Sequence, residues 1–173
     1  MKYSLDFLLI VLFLSGPLLI RKPYLTIGFI VGMFFTEFFN VFLKWVFKQP
    51  RPNTDLEFFK TSLKIRKNDP FFISKYCGMP SGHAQLAGFA LVYIFLSTHS
   101  WWIWSLMAGL TAVTCIQRVA TQAHSVLQVL IGLFIGMVSG LLAYKVMVLF
   151  LKLRNPQGVF PKSSPFGSIL YNW

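Results

Sequence analysis

Several cationic and imidazole side chains in this sequence have the composition of a site for a phosphoryl group. Lys44 and Arg51 are separated by six residues, Arg118 and His124 by five, and residues 80–83 read Pro-Ser-Gly-His. Arg makes forked contacts with phosphate oxygens, Lys supplies a compact positive charge, and His performs nucleophilic and acid–base chemistry. No cluster of metal ligands is visible beside them, so we expect chemistry without a metal or a cofactor.

Ser81 and Gly82 add a second kind of anion contact. If a helix begins here, its free backbone N–H groups and its dipole favour a bound phosphate, and Gly82 permits close approach of the backbone. We therefore predict one phosphate site. Its residues are Lys44, Arg51, Ser81, Gly82, His83, Arg118 and His124.

The elements that must position these residues are membrane helices. Of the 173 residues, 55% are hydrophobic and 12% are charged, whereas a soluble domain has about 25% charged residues. The apolar residues form long blocks, and about 20 of them are needed to span the hydrocarbon core of a bilayer. We expect an all-α, multi-pass integral membrane protein.

The apolar blocks predict a bundle of about five transmembrane helices, or six if a half-span or interfacial helix is counted. The predicted spans are 5–20, 24–47, 81–96, 101–117 and 124–151. Residues 1–151 would form a single domain with a polar loop at 48–79, followed by a polar tail at 152–173. Gly132, Gly136 and Gly140 recur every four residues, a spacing that lets helices pack closely in lipid.

Counting spans places the motif residues on one side of the membrane. The second and fourth spans end there, and the third and fifth begin there, so the three motifs meet. A lone Lys or Arg at a span end is usually a snorkelling anchor. A lone interfacial His is usually structural, and His99 fits that description. Chance does not readily explain all the motif residues at one face, because unpaired charge inside a membrane is costly.

The net charge of +11 does not indicate nucleic acid. The basic residues flank apolar blocks or lie in one loop, as in membrane proteins, and no nucleic-acid-binding motif is present. A phosphorylated membrane lipid is the expected partner. The apolar helix faces could also receive a protein partner or a second copy of the chain. Two buried thiols at Cys77 and Cys115 are favoured over a disulfide between them.

The three motifs resemble those of the type 2 phosphatidic acid phosphatase and vanadium haloperoxidase superfamily. Lys44, six residues and Arg51-Pro52 match the first motif, residues 80–83 match the second in full, and Arg118 to His124 match most of the third. The resemblance covers about residues 37–140, in the correct order. It implies a membrane lipid phosphatase with its site on the lumenal or extracytoplasmic face.

The resemblance also implies residue roles. His124 would attack phosphorus and form a phosphohistidine, and His83 would protonate the leaving group and then assist water. The equatorial oxygens of the transition state would be held by Lys44, Arg51, Ser81, the Gly82 amide and Arg118. No metal is implied.

Two positions depart from the family pattern. Gln117 replaces the usual Ser before Arg118, and Gln128 replaces the Asp usually found four residues after the nucleophile. That Asp would accept a hydrogen bond from the ring of His124; the Gln128 carbonyl could accept the same bond but carries no charge. Glu37 is the carboxylate expected well inside the membrane, where a structural pairing with Asn40 or with a neighbouring helix is favoured over a catalytic role.

These departures leave two functions open. One is an active phosphatase that hydrolyses a lipid phosphate or diphosphate. The other is a weak or inactive relative that serves as a structural membrane protein or a lipid-phosphate-binding module. Gln128 motivates the second hypothesis. The first predicts phosphate release, and the second predicts binding without turnover.

Overall fold

A computed structural model describes residue 11 and residues 14–154 of the chain. Every regular element with named bounds in this part is an α-helix. The helices are α1 (Pro23–Phe47), α2 (Leu56–Arg66), α3 (Pro70–Tyr76), α4 (Gly82–Thr98), α5 (Trp101–Ala120) and α6 (Val126–Arg154). Residues 14–19 are also helical and precede α1. The predicted all-α helical bundle is thereby confirmed.

Three of these helices, α1, α5 and α6, are long and apolar enough to cross a bilayer, and α4 is a shorter apolar helix of 17 residues. They correspond to the second to fifth predicted spans. Half of the predicted first span (residues 5–10 and 12–13), and the tail beyond residue 154, lie outside the described residues. α5 continues to Ala120, past the predicted end at residue 117, and α6 begins at Val126.

The segment 48–79 differs from the expected polar loop, because it contains α2 and α3. The Asp55 side chain accepts from the backbone N–H of Phe58 at 2.7 Å, and Asp69 accepts from that of Phe71 at 3.0 Å, so each carboxylate caps a helix. Pro70 occupies the first position of α3. Four buried side chains form a small separate core beneath the two helices: Phe59, Phe72, Ile73 and Cys77.

α4, the shortest of the four long apolar helices, contacts α1, α5 and α6 and so occupies the centre of the bundle. Gly132, Gly136 and Gly140 of α6 face the backbone of α4. A Cβ atom added at Gly132 would lie 2.5 Å from the Ser81 carbonyl oxygen, and one at Gly140 would lie 2.6 Å from that of Phe89. The glycine stripe is therefore a packing surface, as its spacing predicted.

Buried amides join α1 to α4. Asn40 Nδ2 donates to Gln85 Oε1 at 2.7 Å and to the Pro80 carbonyl oxygen at 3.3 Å, and Gln85 Nε2 donates to the Thr36 carbonyl oxygen at 3.3 Å. The expected pairing of Asn40 with Glu37 is absent from these contacts, because Asn40 points into the bundle whereas Glu37 is exposed on α1. Cys77 and Cys115 are both free thiols, as favoured, but only Cys77 is buried and Cys115 is half-buried.

Candidate active site

A cavity of about 330 Å³ lies where α1 and α5 end and α4 begins. It brings together six of the predicted phosphate-site residues, which come from all three motifs. The cavity is lined by Lys44, Arg51, Gly82, His83, Arg118 and His124, together with Glu37, Ser74 and Leu86. Both motif histidines therefore face one cavity, as the convergence of the span ends predicted.

Each cation is held by a different part of the fold. Lys44 lies in the last turn of α1 and Arg118 in the last turn of α5, and both are buried. Arg51 lies in the loop after α1, where its Nη2 donates to the Ser74 carbonyl oxygen at 3.1 Å. The backbone N–H of Arg51 donates to the Tyr76 carbonyl oxygen at 3.3 Å, so the loop is tied to α3.

The N-terminus of α4 supplies backbone donors at the same place. Ser81 is the N-cap residue and Gly82 the first helical residue, as the Pro-Ser-Gly-His motif predicted. Ser81 is fully buried and does not line the cavity; its Oγ has no hydrogen-bond partner within the described part of the chain. A Cβ atom at Gly82 would lie 3.1 Å from Asn40 Oδ1, so a larger residue would crowd α1.

His124 lies between α5 and α6 and is only 2% exposed. Its Nδ1 is 2.8 Å from the backbone carbonyl oxygen of Gly78. A carbonyl oxygen can only accept a hydrogen bond, so Nδ1 must carry the proton. In the neutral ring, Nε2 then holds the lone pair, and this is the nitrogen available for attack on an electrophile.

The surroundings keep this ring neutral. Burial lowers the pKa of His124 most, the positive charges of Arg51, Lys44 and Arg118 also lower it, and the hydrogen bond to Gly78 raises it; together they bring the pKa to about 3. Three cations thus act on one unprotonated imidazole. Such a cluster favours a bound anion, because the anion offsets the mutual repulsion of the cations. No three His, Cys, Asp or Glu side chains converge as metal ligands within residues 14–154.

The motif residues of the cavity also lie within a region of the chain that matches a known protein family. A sequence model of the PAP2 superfamily matches residues 25–151, a range that contains every cavity residue. The chain belongs to the PAP2 superfamily. A dolichyldiphosphatase of Saccharomyces cerevisiae is 32% identical over 123 residues, which are 65% of this chain and 48% of the yeast protein. The chain therefore spans about half the length of this curated relative. No solved structure matches this chain.

In this PAP2 superfamily member, Gln128 does not make the hydrogen bond to His124 that its sequence position suggested. The Gln128 Oε1 accepts from the backbone N–H of Ser125 at 3.2 Å. Its Nε2 donates to Gln49 Oε1 at 3.1 Å and to the Pro50 carbonyl oxygen at 3.0 Å. The amide is directed towards the loop after α1, because that loop offers two acceptors, and the Gly78 carbonyl takes the position at the ring.

Gly78 and Ser74 are the residues that sequence reasoning missed. The backbone carbonyl of Gly78 accepts from His124, and that of Ser74 accepts from Arg51. Every residue has a backbone carbonyl, so neither residue type predicts this role. The only sequence signal was their position in the segment just before the Pro-Ser-Gly-His motif. In a PAP2 superfamily chain without the usual Asp, that segment is the place to look for an alternative acceptor.

Proposed function

We propose that the protein is a lipid phosphatase that hydrolyses a lipid phosphate or diphosphate through a phosphohistidine at His124. One observation carries the proposal: the Nδ1 of His124 is bound to Gly78 in a cavity shared with His83 and three cations. The ring is thus held in the tautomer that a nitrogen nucleophile requires. Family membership supports the same class of reaction.

In the first half of the reaction, Nε2 of His124 attacks phosphorus and a P–N bond forms. The P–O bond to the leaving alcohol or phosphate breaks, and His83 donates a proton to the departing oxygen. Lys44, Arg51 and Arg118 stabilise the charge that gathers on the equatorial oxygens. Backbone N–H groups at Gly82 and His83 add the positive end of the α4 dipole, and Ser81 Oγ has hydrogen-bonding capacity to contribute beside them.

In the second half, water attacks the phosphohistidine and gives up its proton to His83. The P–N bond breaks, its electron pair returns to Nε2 of His124, and inorganic phosphate leaves the cavity. The imidazolium present while His124 is phosphorylated keeps its Nδ1–H on the Gly78 carbonyl. Positioning and charge stabilisation supply most of the acceleration in such phosphoryl transfers.

An apolar groove supports a lipid rather than a soluble substrate. It has a volume of about 620 Å³, lies between α1 and α6, and includes Phe35, Thr36 and Phe39. Phe39 precedes Lys44 by five residues, a rise of about 7.5 Å along a helix. A phosphorylated amphiphile with its head group at Lys44 could therefore lay its chain along the same helix.

The yeast relative suggests the first substrate to test. Its name states that it is a dolichyldiphosphatase, so a polyprenyl diphosphate is the leading candidate, followed by phosphatidate. The resemblance of the motifs to the family implies an active site on the lumenal or extracytoplasmic face of the membrane, and we include that orientation in the proposal. The bilayer itself, and a protein or second copy on the apolar helix faces, remain the proposed partners.

The test is phosphate release by purified protein in lipid nanodiscs, with polyprenyl diphosphate and phosphatidate as substrates. His124→Ala should abolish turnover, because it removes the nucleophile. His99→Asn is the matched control, because His99 is the C-cap residue at the opposite end of α4 and Asn tolerates its positive φ of 51°. Wild-type release no greater than that of His124→Ala would refute the proposal.

The alternative, a lipid-phosphate-binding module, predicts saturable binding of phosphate or vanadate without release of product. Its main motivation was the loss of the family Asp at Gln128. The Gly78 carbonyl weakens that motivation, because the His124 ring has an acceptor without it. Binding with no turnover under the conditions above would favour this alternative.

A further inference from the structure

We infer that Gln128 is a positioning residue: its amide holds the loop after α1 against Gly78, and through Gly78 it fixes the ring of His124. The inference rests on the proposed role of His124 as nucleophile. It assigns to Gln128 a task different from that of the family Asp, since Gln128 would act on the acceptor of the ring and not on the ring itself.

A continuous chain of hydrogen-bonded residues leads from Gln128 to His124. Gln128 is 2% exposed, and its Nε2 donates to both Gln49 Oε1 and the Pro50 carbonyl oxygen. The Gln49 carbonyl oxygen in turn accepts from the backbone N–H of Gly78 at 2.7 Å. The carbonyl oxygen of Gly78 then meets His124 Nδ1 at 2.8 Å. Each link fixes the next one.

Packing gives independent evidence for the same relationship. A Cβ atom at Gly78 would lie 2.5 Å from Gln128 Oε1 and 2.9 Å from Nε2, so the amide rests directly on the Gly78 backbone. The amide is also held from its other end, because Oε1 accepts from the N–H of Ser125. The backbone carbonyl of Gln128 accepts from the N–H of Ser81 at 3.0 Å, which ties the start of α4 to the same residue.

The chemistry of the partners explains why this position requires an amide. Both partners of Nε2 present an oxygen atom, and the Pro50 carbonyl can only accept a hydrogen bond, so residue 128 must donate to satisfy it. An ionised carboxylate has no donor and would face that carbonyl oxygen at about 3 Å. Pro50 immediately precedes Arg51, so the same bond places a phosphate-binding guanidinium. Gln128 thus connects the nucleophile and a cation through its side-chain amide, and the N-terminus of α4 through its backbone carbonyl.

The decisive experiment reads the tautomer of His124 directly. The chain has three histidines, so ¹⁵N-histidine labelling of the full chain in nanodiscs gives few imidazole signals, and His124→Ala assigns the one of interest. At neutral pH the wild type should show His124 as the Nδ1–H tautomer. Gln128→Met keeps the length of the side chain but removes both donors. We expect it to give a mixture of tautomers and to lower kcat about 10- to 100-fold.

Gln122→Met is the matched control, because Gln122 is exposed and lies two residues before His124 in the same loop; it should leave tautomer and kcat unchanged. Gly78→Ala is the second variant, because it retains Gln128 but presses on its amide, and it should also disturb the tautomer. A wild-type tautomer in either folded variant, Gln128→Met or Gly78→Ala, would overturn the inference. Failure of the proposed function would appear separately, as a wild type no more active than His124→Ala.

Discussion

Gly132 lets the start of α4 pack closely against α6. Gly132→Ala should therefore impair the active site by displacing the start of α4. The added Cβ atom would lie 2.5 Å from the carbonyl oxygen of Ser81 and 3.1 Å from its nitrogen. Ordinary contact begins near 3.4 Å. The backbone at Ser81 must therefore move by about 1 Å, because neither contacting atom belongs to a flexible side chain.

This displacement would reach the reacting groups, because Ser81 is directly followed by Gly82 and His83, which line the cavity. A misplacement of about 1 Å can reduce an enzymatic rate by about 100-fold. We expect a loss of that order in kcat for Gly132→Ala. Overpacking should also lower the free energy of unfolding by about 1–3 kcal/mol.

Gly140→Ala separates these two effects. Its Cβ atom would lie 2.6 Å from the carbonyl oxygen of Phe89, a similar clash on the same pair of helices. The site is farther away, however, because eight residues of helix span about 12 Å. Gly140→Ala should lose comparable stability but keep kcat within a few-fold of the wild type. Phosphate release and thermal unfolding in nanodiscs measure both quantities.

Equal loss of activity in both variants, or the full rate in a folded Gly132→Ala variant, would refute this prediction. The first result would mean that activity follows bundle stability alone. The second would mean that the start of α4 does not position the reacting groups.

Two further predictions concern stability. Asn40→Leu should lower the free energy of unfolding by about 1–3 kcal/mol, because Gln85 Oε1, fully buried, loses its donor; an unchanged unfolding midpoint in detergent titrations would contradict this. Acidification from pH 6.5 towards pH 4 should destabilise the ligand-free wild type more than the His124→Asn variant, by up to about 1.4 kcal/mol per pH unit. The reason is that the unfolded chain protonates His124 near its ordinary pKa, whereas in the folded chain the pKa is about 3 and the ring stays neutral. Parallel pH dependence of the two thermal midpoints would argue against it.

The sequence was sufficient for the main architecture and for the convergence of the motifs. Apolar block lengths located α1, α4, α5 and α6, and counting their ends placed Lys44, Arg118 and His124 at one face. The start of α4 at Gly82 followed from the motif itself. These predictions succeeded because helix length in a bilayer is set by its thickness, so that the order of spans determines which ends meet.

Two features were not predicted from the sequence. α2 and α3 lie in a segment whose charged composition resembles a loop. Asp55, Asp69 and Pro70 are typical of helix starts, but their role follows only from the capping bonds and the small core of the structure. The acceptor for His124 is a main-chain carbonyl, and every residue has one. Its selection depends on how the loop after α1 folds onto Gly78, which requires the tertiary structure.

The use of a peptide carbonyl beside His124 has a consequence for how such chains are compared. A main-chain oxygen does not titrate in the accessible pH range, so the ring should keep this acceptor under acid conditions. A substitution can disturb the contact only by moving the backbone at Gly78, as predicted for Gln128→Met and Gly78→Ala. A survey that classifies relatives by the presence of Asp at the position of Gln128 would discard this chain as defective, although its histidine has a partner. The hydrogen-bond partner of the histidine ring is a better criterion than the residue type at position 128 for recognising members that orient this histidine.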